Sequence, residues 1–208
     1  MSYQLNSQSY WAGKWCASAD LSMILVPSAM IIEIDHKNSK LHTYSFDELF
    51  VTRQLKLDTI NLTWQTGIDK LDVNPVQEVI IINKEKFKIS LYDERNEQCN
   101  YQEFVKLIPT RIRVPLESVY NTTFENFYEN WQFEKAPNIV FSNVKNSDNF
   151  KRDVFTLEMI DQTYFICHYY NSSRSQVYPI KEIGKGYMIV YGIAGINRDV
   201  RINKILQD

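Results

Sequence analysis

The chain is predicted to be all-β, an antiparallel up-and-down β-barrel, on three observations. Short segments of alternating apolar and polar residues recur along its 208 residues, and a period of two marks a strand with one buried face. Clusters of Asn, Asp, Ser, Gly and Lys separate these segments, and no long crossover intervenes, so successive hairpins are the simplest connection. Near the start, Tyr10-Trp11-Ala12-Gly13-Lys14-Trp15-Cys16 joins a glycine that can bend the backbone to indole plates that can cover a core. A meander closed into a barrel has no exposed edges.

Ser28 to Phe46 reads as a hairpin, with Met30, Ile32 and Ile34 alternating with Ile31, Glu33 and Asp35. With Asn38-Ser39 as its loop, Asp35 faces His42. Phe46 to Val51 is a helical turn or a lid loop. The strand Leu55 to Trp64 shifts phase near Thr59 and Ile60, which predicts a bulge. Val79-Ile80-Ile81-Ile82 is a β-branched run suited to a strand. Phe87, Ile89 and Leu91 form the inward row of the next, and Tyr101 to Ile108 gives another that stops at Pro109.

The middle differs. Phe124, Phe127, Tyr128 and Trp131 fall at i, i+3, i+4 and i+7, the spacing of one helix face. Thr122 with Glu125 three residues on is the capping-box pattern, so one short amphipathic helix is predicted near 122–131. Val154 to Ile160 and Thr163 to Tyr170 flank Asp161-Gln162 as a hairpin. Its core face collects Phe155, Leu157, Met159, Tyr164, Ile166, His168 and Tyr170. Further strands follow at Gln176 to Ile180, Tyr187 to Tyr191 and Val200 to Leu206.

A single domain over 1–208 is the expected organisation. Two small β units, 1–112 and 116–208, are the alternative, because Trp15 and Trp131 each precede a series of strands. Hydrophobic residues at 44% and charged residues at 23% place the chain with folded proteins rather than disordered ones. A net charge of -2 gives no basic excess for a nucleic-acid partner. Cys16, Cys99 and Cys167 lack metal-ligand or redox spacing, so neither a disulfide framework nor a metal site is expected. No secretory signal or membrane-spanning run is visible, and a cytoplasmic setting is the expectation.

At Gly13-Lys14-Trp15 the chain resembles the G-x-W motif that opens the first strand of lipocalin-like calycin barrels. The resemblance implies an up-and-down antiparallel barrel that holds an apolar ligand in its cup. It also implies an arginine from a late strand packed over the tryptophan, a part that Arg201, or Arg198, is placed to take. The second lipocalin signature, a Thr-Asp-Tyr type motif, is absent.

Cys167 and His168 are strand neighbours, so they point to opposite faces and do not form a nucleophile-base pair. His168 is either a core histidine or, with Tyr164, Tyr170 and Tyr178, part of the polar lining that orients a ligand. Asp35 opposite His42 is a candidate dyad, and at a hairpin end also an exposed charge pair. His36 and His42 chelate a metal only if their loop is longer than two residues. These readings converge on a non-catalytic protein that binds a small apolar or amphipathic molecule without a cofactor. The alternative is a β-rich module that binds or inhibits a protein partner.

Overall fold

The structure is a computed structural model that describes residues 10–21, 24–67, 76–93, 97–120, 122–125, 129–133, 139–144, 153–170, 173–196 and 198–205. The chain divides into two compact units, Met1–Met23 with Met30–Leu107, and Ile24–Ala29 with Ile108–Asp208. It is all-β, and each unit holds a closed ring of antiparallel strands. Among the described residues no helix is long and apolar enough to cross a membrane.

The first ring contains β1 (Lys14–Leu21), β2 (Ile24–Asp35), β3 (Lys40–Ser45), β4 (Glu48–Asp58), β5 (Thr63–Thr66), β6 (Gln77–Asn83), β7 (Lys86–Asp93) and β8 (Gln98–Lys106). β1 pairs with β2, and each later strand pairs antiparallel with the one before it. The last returns to the first, Trp15 opposite Lys106 and Ser18 opposite Glu103, so no edge is left. Inside, Trp15, Trp64, Phe87 and Phe104 are buried with Ile32, Leu41, Leu55 and Val79. Each aromatic hides roughly 150–250 Å², an upper limit of about 4–6 kcal/mol of transfer free energy.

Three hairpins of this ring have loops of the same length. Asp35 pairs with Lys40, Asp58 with Thr63 and Asp93 with Gln98, so each loop has four residues. Each reads Asp-x-x-Asn-x, and the last loop residue, Ser39, Leu62 or Glu97, has a positive φ of 53°, 51° or 50°. The Asp58 carboxylate accepts hydrogen bonds from the amides of Ile60 and Asn61, both at 2.9 Å. Asp35 does the same for Asn38 at 3.0 Å. The side chain thereby replaces the backbone partners that a four-residue turn removes.

The turns of this ring correct three sequence expectations. The phase shift at Thr59-Ile60 is a hairpin rather than a bulge in one strand. Asp35 faces Lys40, and His42 faces Glu33. Phe46-Asp47 is a tight turn, with Phe46 at φ 61° and buried, and neither a helical turn nor a lid follows it.

Ahead of its ring the second unit has β9 (Arg111–Ile112), a parallel partner of a later strand, and a 3-10 turn at Leu116–Ser118. Its ring contains β10 (Thr122–Glu125), β11 (Glu129–Phe133), β12 (Ile139–Val144), β13 (Asp153–Ile160), β14 (Thr163–Tyr170), β15 (Ser173–Gly184), β16 (Tyr187–Tyr191) and β17 (Asp199–Lys204). Neighbours pair in order, and β17 closes on β10 through Phe124 and Lys204.

The helix expected near 122–131 is therefore a pair of strands, with residues 126–128 outside the described set. Thr122 faces Phe133 and Phe124 faces Trp131. The aromatic spacing that suggested a helix is the spacing of partners across a hairpin. Thr and Phe favour extended backbone, and the Thr122 hydroxyl donates to the Ser118 carbonyl at 3.2 Å instead of capping a helix. On β13 and β14 the expected row holds in part: Phe155, Leu157 and Ile166 are in the core, but Met159 and Tyr170 of that row are exposed, and Phe165 and Cys167 of the opposite row are buried. Asp161 and Gln162 take positive φ between the two strands, as a two-residue loop requires.

The hairpin loops of the first ring set an expectation for stability. Ser39→Gly relieves a left-handed residue exposed to solvent, so the urea midpoint should rise, by about 0.5–1 kcal/mol of stability. Leu62→Gly relieves the same strain but removes a side chain packed on the first core, so it should lower the midpoint. Equal shifts for both variants would contradict the assignment.

Candidate functional site

A ring of strands has two ends, and what fills each end decides where a ligand can enter. At one end of the first ring Gly13, at φ +93°, turns the chain so that Tyr10 and Trp11 lie inward beside Trp15. The Trp15 indole N–H points to the Trp11 carbonyl at 3.4 Å, and the Tyr10 hydroxyl donates to the carbonyls of Asn83 and Lys86 at 3.1 and 2.9 Å. Burial pushes the Tyr10 phenol above its ordinary value.

Lys106 lies 5.2 Å over the Trp15 ring and donates to the Tyr10 carbonyl at 2.8 Å. Burial lowers the affinity of its ammonium for a proton. Arg201 does not take this part. It sits on β17 of the second unit, exposed, with its guanidinium 3.7 Å from the centre of the Tyr187 ring. The cation over Trp15 comes from the last strand of its own ring, a relation that the two-unit division explains.

In the second ring β14 presents Tyr164, Ile166, His168 and Tyr170 as one alternating row, and β15 sets Tyr178 opposite Ile166. His168 stacks on Phe155 at 4.6 Å between ring centres. The Tyr178 hydroxyl donates to the side-chain carbonyl of Gln176 at 2.6 Å, and Gln176 faces His168. A bulge follows, so that Ser175 has no partner in the strand register and its hydroxyl lies 3.2 Å from His168 Nδ1. Bulges of this kind re-aim a side chain.

His168, Tyr170 and Tyr178 thus share one end of the ring, with Tyr170 half exposed. Tyr164 belongs to the other end. At about 3.3 Å per residue it stands roughly 13 Å from His168, against Tyr120 and the segment that carries Leu116 and Val119. Thr110 and Thr163 fasten that segment, donating to the carbonyls of Ile180 and Ile108 at 2.6 and 2.7 Å. Sequence reasoning missed Gln176 and Ser175, because only the register and its bulge bring them to the imidazole.

A separate open cleft of about 830 Å³ lies in the first unit, lined by Gly13, Glu33, Asp35, His36, His42 and Tyr44 among others. Its polar groups are largely engaged with one another. Tyr44 donates to Glu33 at 2.8 Å, and Lys14 lies 4.7 Å over the Tyr44 ring. His42 Nδ1 is 2.8 Å from the Thr52 hydroxyl, and Asp35 holds Asn38. The candidate Asp35–His42 dyad is therefore not formed. Although the loop has four residues, among the described residues no three His, Cys, Asp or Glu side chains come together as metal ligands.

The outward row behind His168 carries a second polar cluster. Glu158 accepts from Thr156, from the Tyr169 hydroxyl at 2.6 Å and from Arg174 at 2.5 Å, and Arg174 also donates to Tyr169 at 3.0 Å. Burial pushes the Glu158 carboxyl up, but the hydrogen bonds from Thr156 and Tyr169 and the Arg174 charge outweigh it and hold it below its ordinary value. The Tyr169 phenol, buried beside a carboxylate, is pushed up to about 12. Cys167 on this row is buried. Against known proteins, no family model and no curated protein matches the sequence.

The Glu158 cluster has a definite pH signature. A carboxyl held low in the fold adds stability above its unfolded value, about 4.3, and that stability is lost as pH falls through the folded value. The stability difference between the native protein and Glu158→Gln should be full at neutral pH and shrink below about pH 4. Chemical denaturation across that range tests this. A difference that stays constant would contradict it.

Proposed function

We propose that this chain is a non-catalytic binding protein that takes a small amphipathic molecule at the inner end of its second barrel, against His168, Tyr170 and Tyr178. One observation carries the reading. His168, Gln176 and Tyr178 stand side by side on inward rows whose neighbours Phe155, Leu157, Ile166 and Ile180 are apolar. A few polar groups at the end of an apolar interior fix a ligand's orientation while its body supplies the buried area.

The opposite end of that ring is occupied by Leu116, Val119 and Tyr120, so a ligand approaches from the side of Tyr170. The first ring is less suited, since Trp11, Trp15, Trp64, Phe87 and Phe104 occupy its interior. A lipocalin-like relationship is part of the proposal. It is supported by Gly13 and Trp15 at the closed end of an eight-strand meander, and by a cation from a late strand, Lys106, over the indole.

Titration with 8-anilinonaphthalene-1-sulfonate, an aromatic anion, tests the proposal by fluorescence. Saturable enhancement at one site per chain is expected. His168→Leu and Tyr178→Phe should each weaken it about tenfold, the worth of one lost hydrogen bond to a buried group. Absence of saturable enhancement, or variants that bind as tightly as the parent, would overturn the reading.

A further inference from the structure

The outward rows of β15, β16 and β17, with β9 alongside, bring two guanidinium groups onto one carboxylate and a third onto the phenol ring hydrogen-bonded to it. Because β9 runs parallel to β15 with Arg111 opposite Glu182, Arg111 and Arg113 straddle the same side chain. Arg113 donates to Glu182 through Nε at 2.7 Å and Nη2 at 3.3 Å, and Arg111 through Nη1 at 3.2 Å. The Tyr187 hydroxyl donates to the same carboxylate. Its ring lies across Gly184, where a Cβ would come within 2.2 Å of the ring, and Arg201 stacks on the ring at 3.7 Å.

The charges do not balance. One carboxylate serves Arg111 and Arg113, while Arg201 lies on a neutral phenol and donates through Nε to Asn203 at 3.1 Å. Among the other charges on these rows, Lys181 pairs with Asp199 at 3.0 Å. Lys185 sits in the turn between β15 and β16, and Glu125 faces Asn203 from β10. Among the described residues, Arg111, Arg113, Arg201, Lys181 and Lys185 stand against Glu182, Asp199 and Glu125, five cations to three anions. This local positive excess belongs to a chain whose net charge is -2.

The arginines are also held in place with donors to spare. A guanidinium carries five N–H donors, and the bonds above use one on Arg111, two on Arg113 and one on Arg201. Side chains of Arg111 and Arg113 are 67% and 53% exposed, so those donors face solvent. Glu182 and Tyr187 fix the planes of two guanidinium groups, which lowers the ordering cost of meeting a multidentate anion. Planar forks with spare donors match the oxygens of a phosphate group.

We propose that this outward face is an oxyanion site that takes a phosphate group, with Arg111, Arg113 and Arg201 as its donors. It lies on the rows opposite those that face the barrel interior, and it stands whether or not the second barrel holds a ligand. A free phosphate compound and a phosphomonoester lipid headgroup offer the same chemistry, and the test separates them.

The full chain is titrated calorimetrically with inorganic pyrophosphate, and co-sedimented with phosphatidylcholine vesicles with and without phosphatidic acid. Arg111→Gln and Arg201→Gln leave the Arg113–Glu182 pair in place and serve as variants, with Lys37→Gln of the first unit as control. Binding to pyrophosphate is expected, weakened about tenfold by either arginine variant, as loss of a charged hydrogen bond implies, and unchanged by the control. Binding to phosphatidic acid vesicles alone, with the same dependence on Arg111 and Arg201, would assign the site to a lipid headgroup. Binding of neither probe, or binding that both arginine variants retain in full, would overturn the proposal.

Discussion

A strand whose backbone donors and acceptors lack a partner invites pairing with whatever lies nearby, and each unit of this protein removes that hazard by closing its sheet. Everything else follows from the closure. Once β8 returns to β1, the alternation along every strand sorts side chains into an interior and an exterior. The interior must then be filled. In the first ring indoles and phenyl groups fill it, with Phe87 and Phe104 stacked at 4.9 Å and Trp15 edge-on to Phe87 at 4.8 Å. In the second, aliphatic side chains such as Ile180, Met188 and Val190 do so around Phe124 and Phe155.

Closure leaves the ends of each ring to be dealt with, and both units use the segment that precedes their ring. Before β1 the chain turns at Tyr10-Trp11 and Gly13, and before β10 it turns at Leu116–Ser118. Both segments set side chains against the core beneath them. The plug of the first ring is aromatic and held by a lysine. That of the second is Val114, Leu116, Val119 and Tyr120, held by threonine hydroxyls. His168 and Tyr178 lie on inward rows of the second ring, away from that plug.

Strand alternation was legible wherever one face is apolar and the other polar, as in Phe87 to Leu91. It failed at 122–131, because aromatics at i and i+7 serve equally as one helix face or as partners across a hairpin such as Phe124 and Trp131. Of the three Asp-x-x-Asn sites, those at Asp35 and Asp93 were legible as turns, while the one at Asp58 read as a bulge, since its φ-positive residue is Leu62 rather than Gly. Trp15 was legible as a closing residue from its glycine. Its cation was not, because Lys106 is ninety-one positions away and only the ring brings it back. Parity along β14 and β15 placed His168 and Tyr170 on one row with Tyr178 near them, whereas the position of Ser175 beside His168 needs the bulge. The Arg111–Glu182–Tyr187–Arg201 chain rests on a parallel pairing that no local pattern announces.

The closed first ring, built around buried indoles, is the claim on which the description of both units leans. Tryptophan emission in a Trp131→Phe protein reads it directly, leaving Trp11, Trp15 and Trp64, each 2% exposed or less. Emission shifted to the blue and resistant to acrylamide in the native protein, with both properties lost on unfolding, is the expected result. Native emission like that of tryptophan in water, quenched as readily as the unfolded chain, would contradict it.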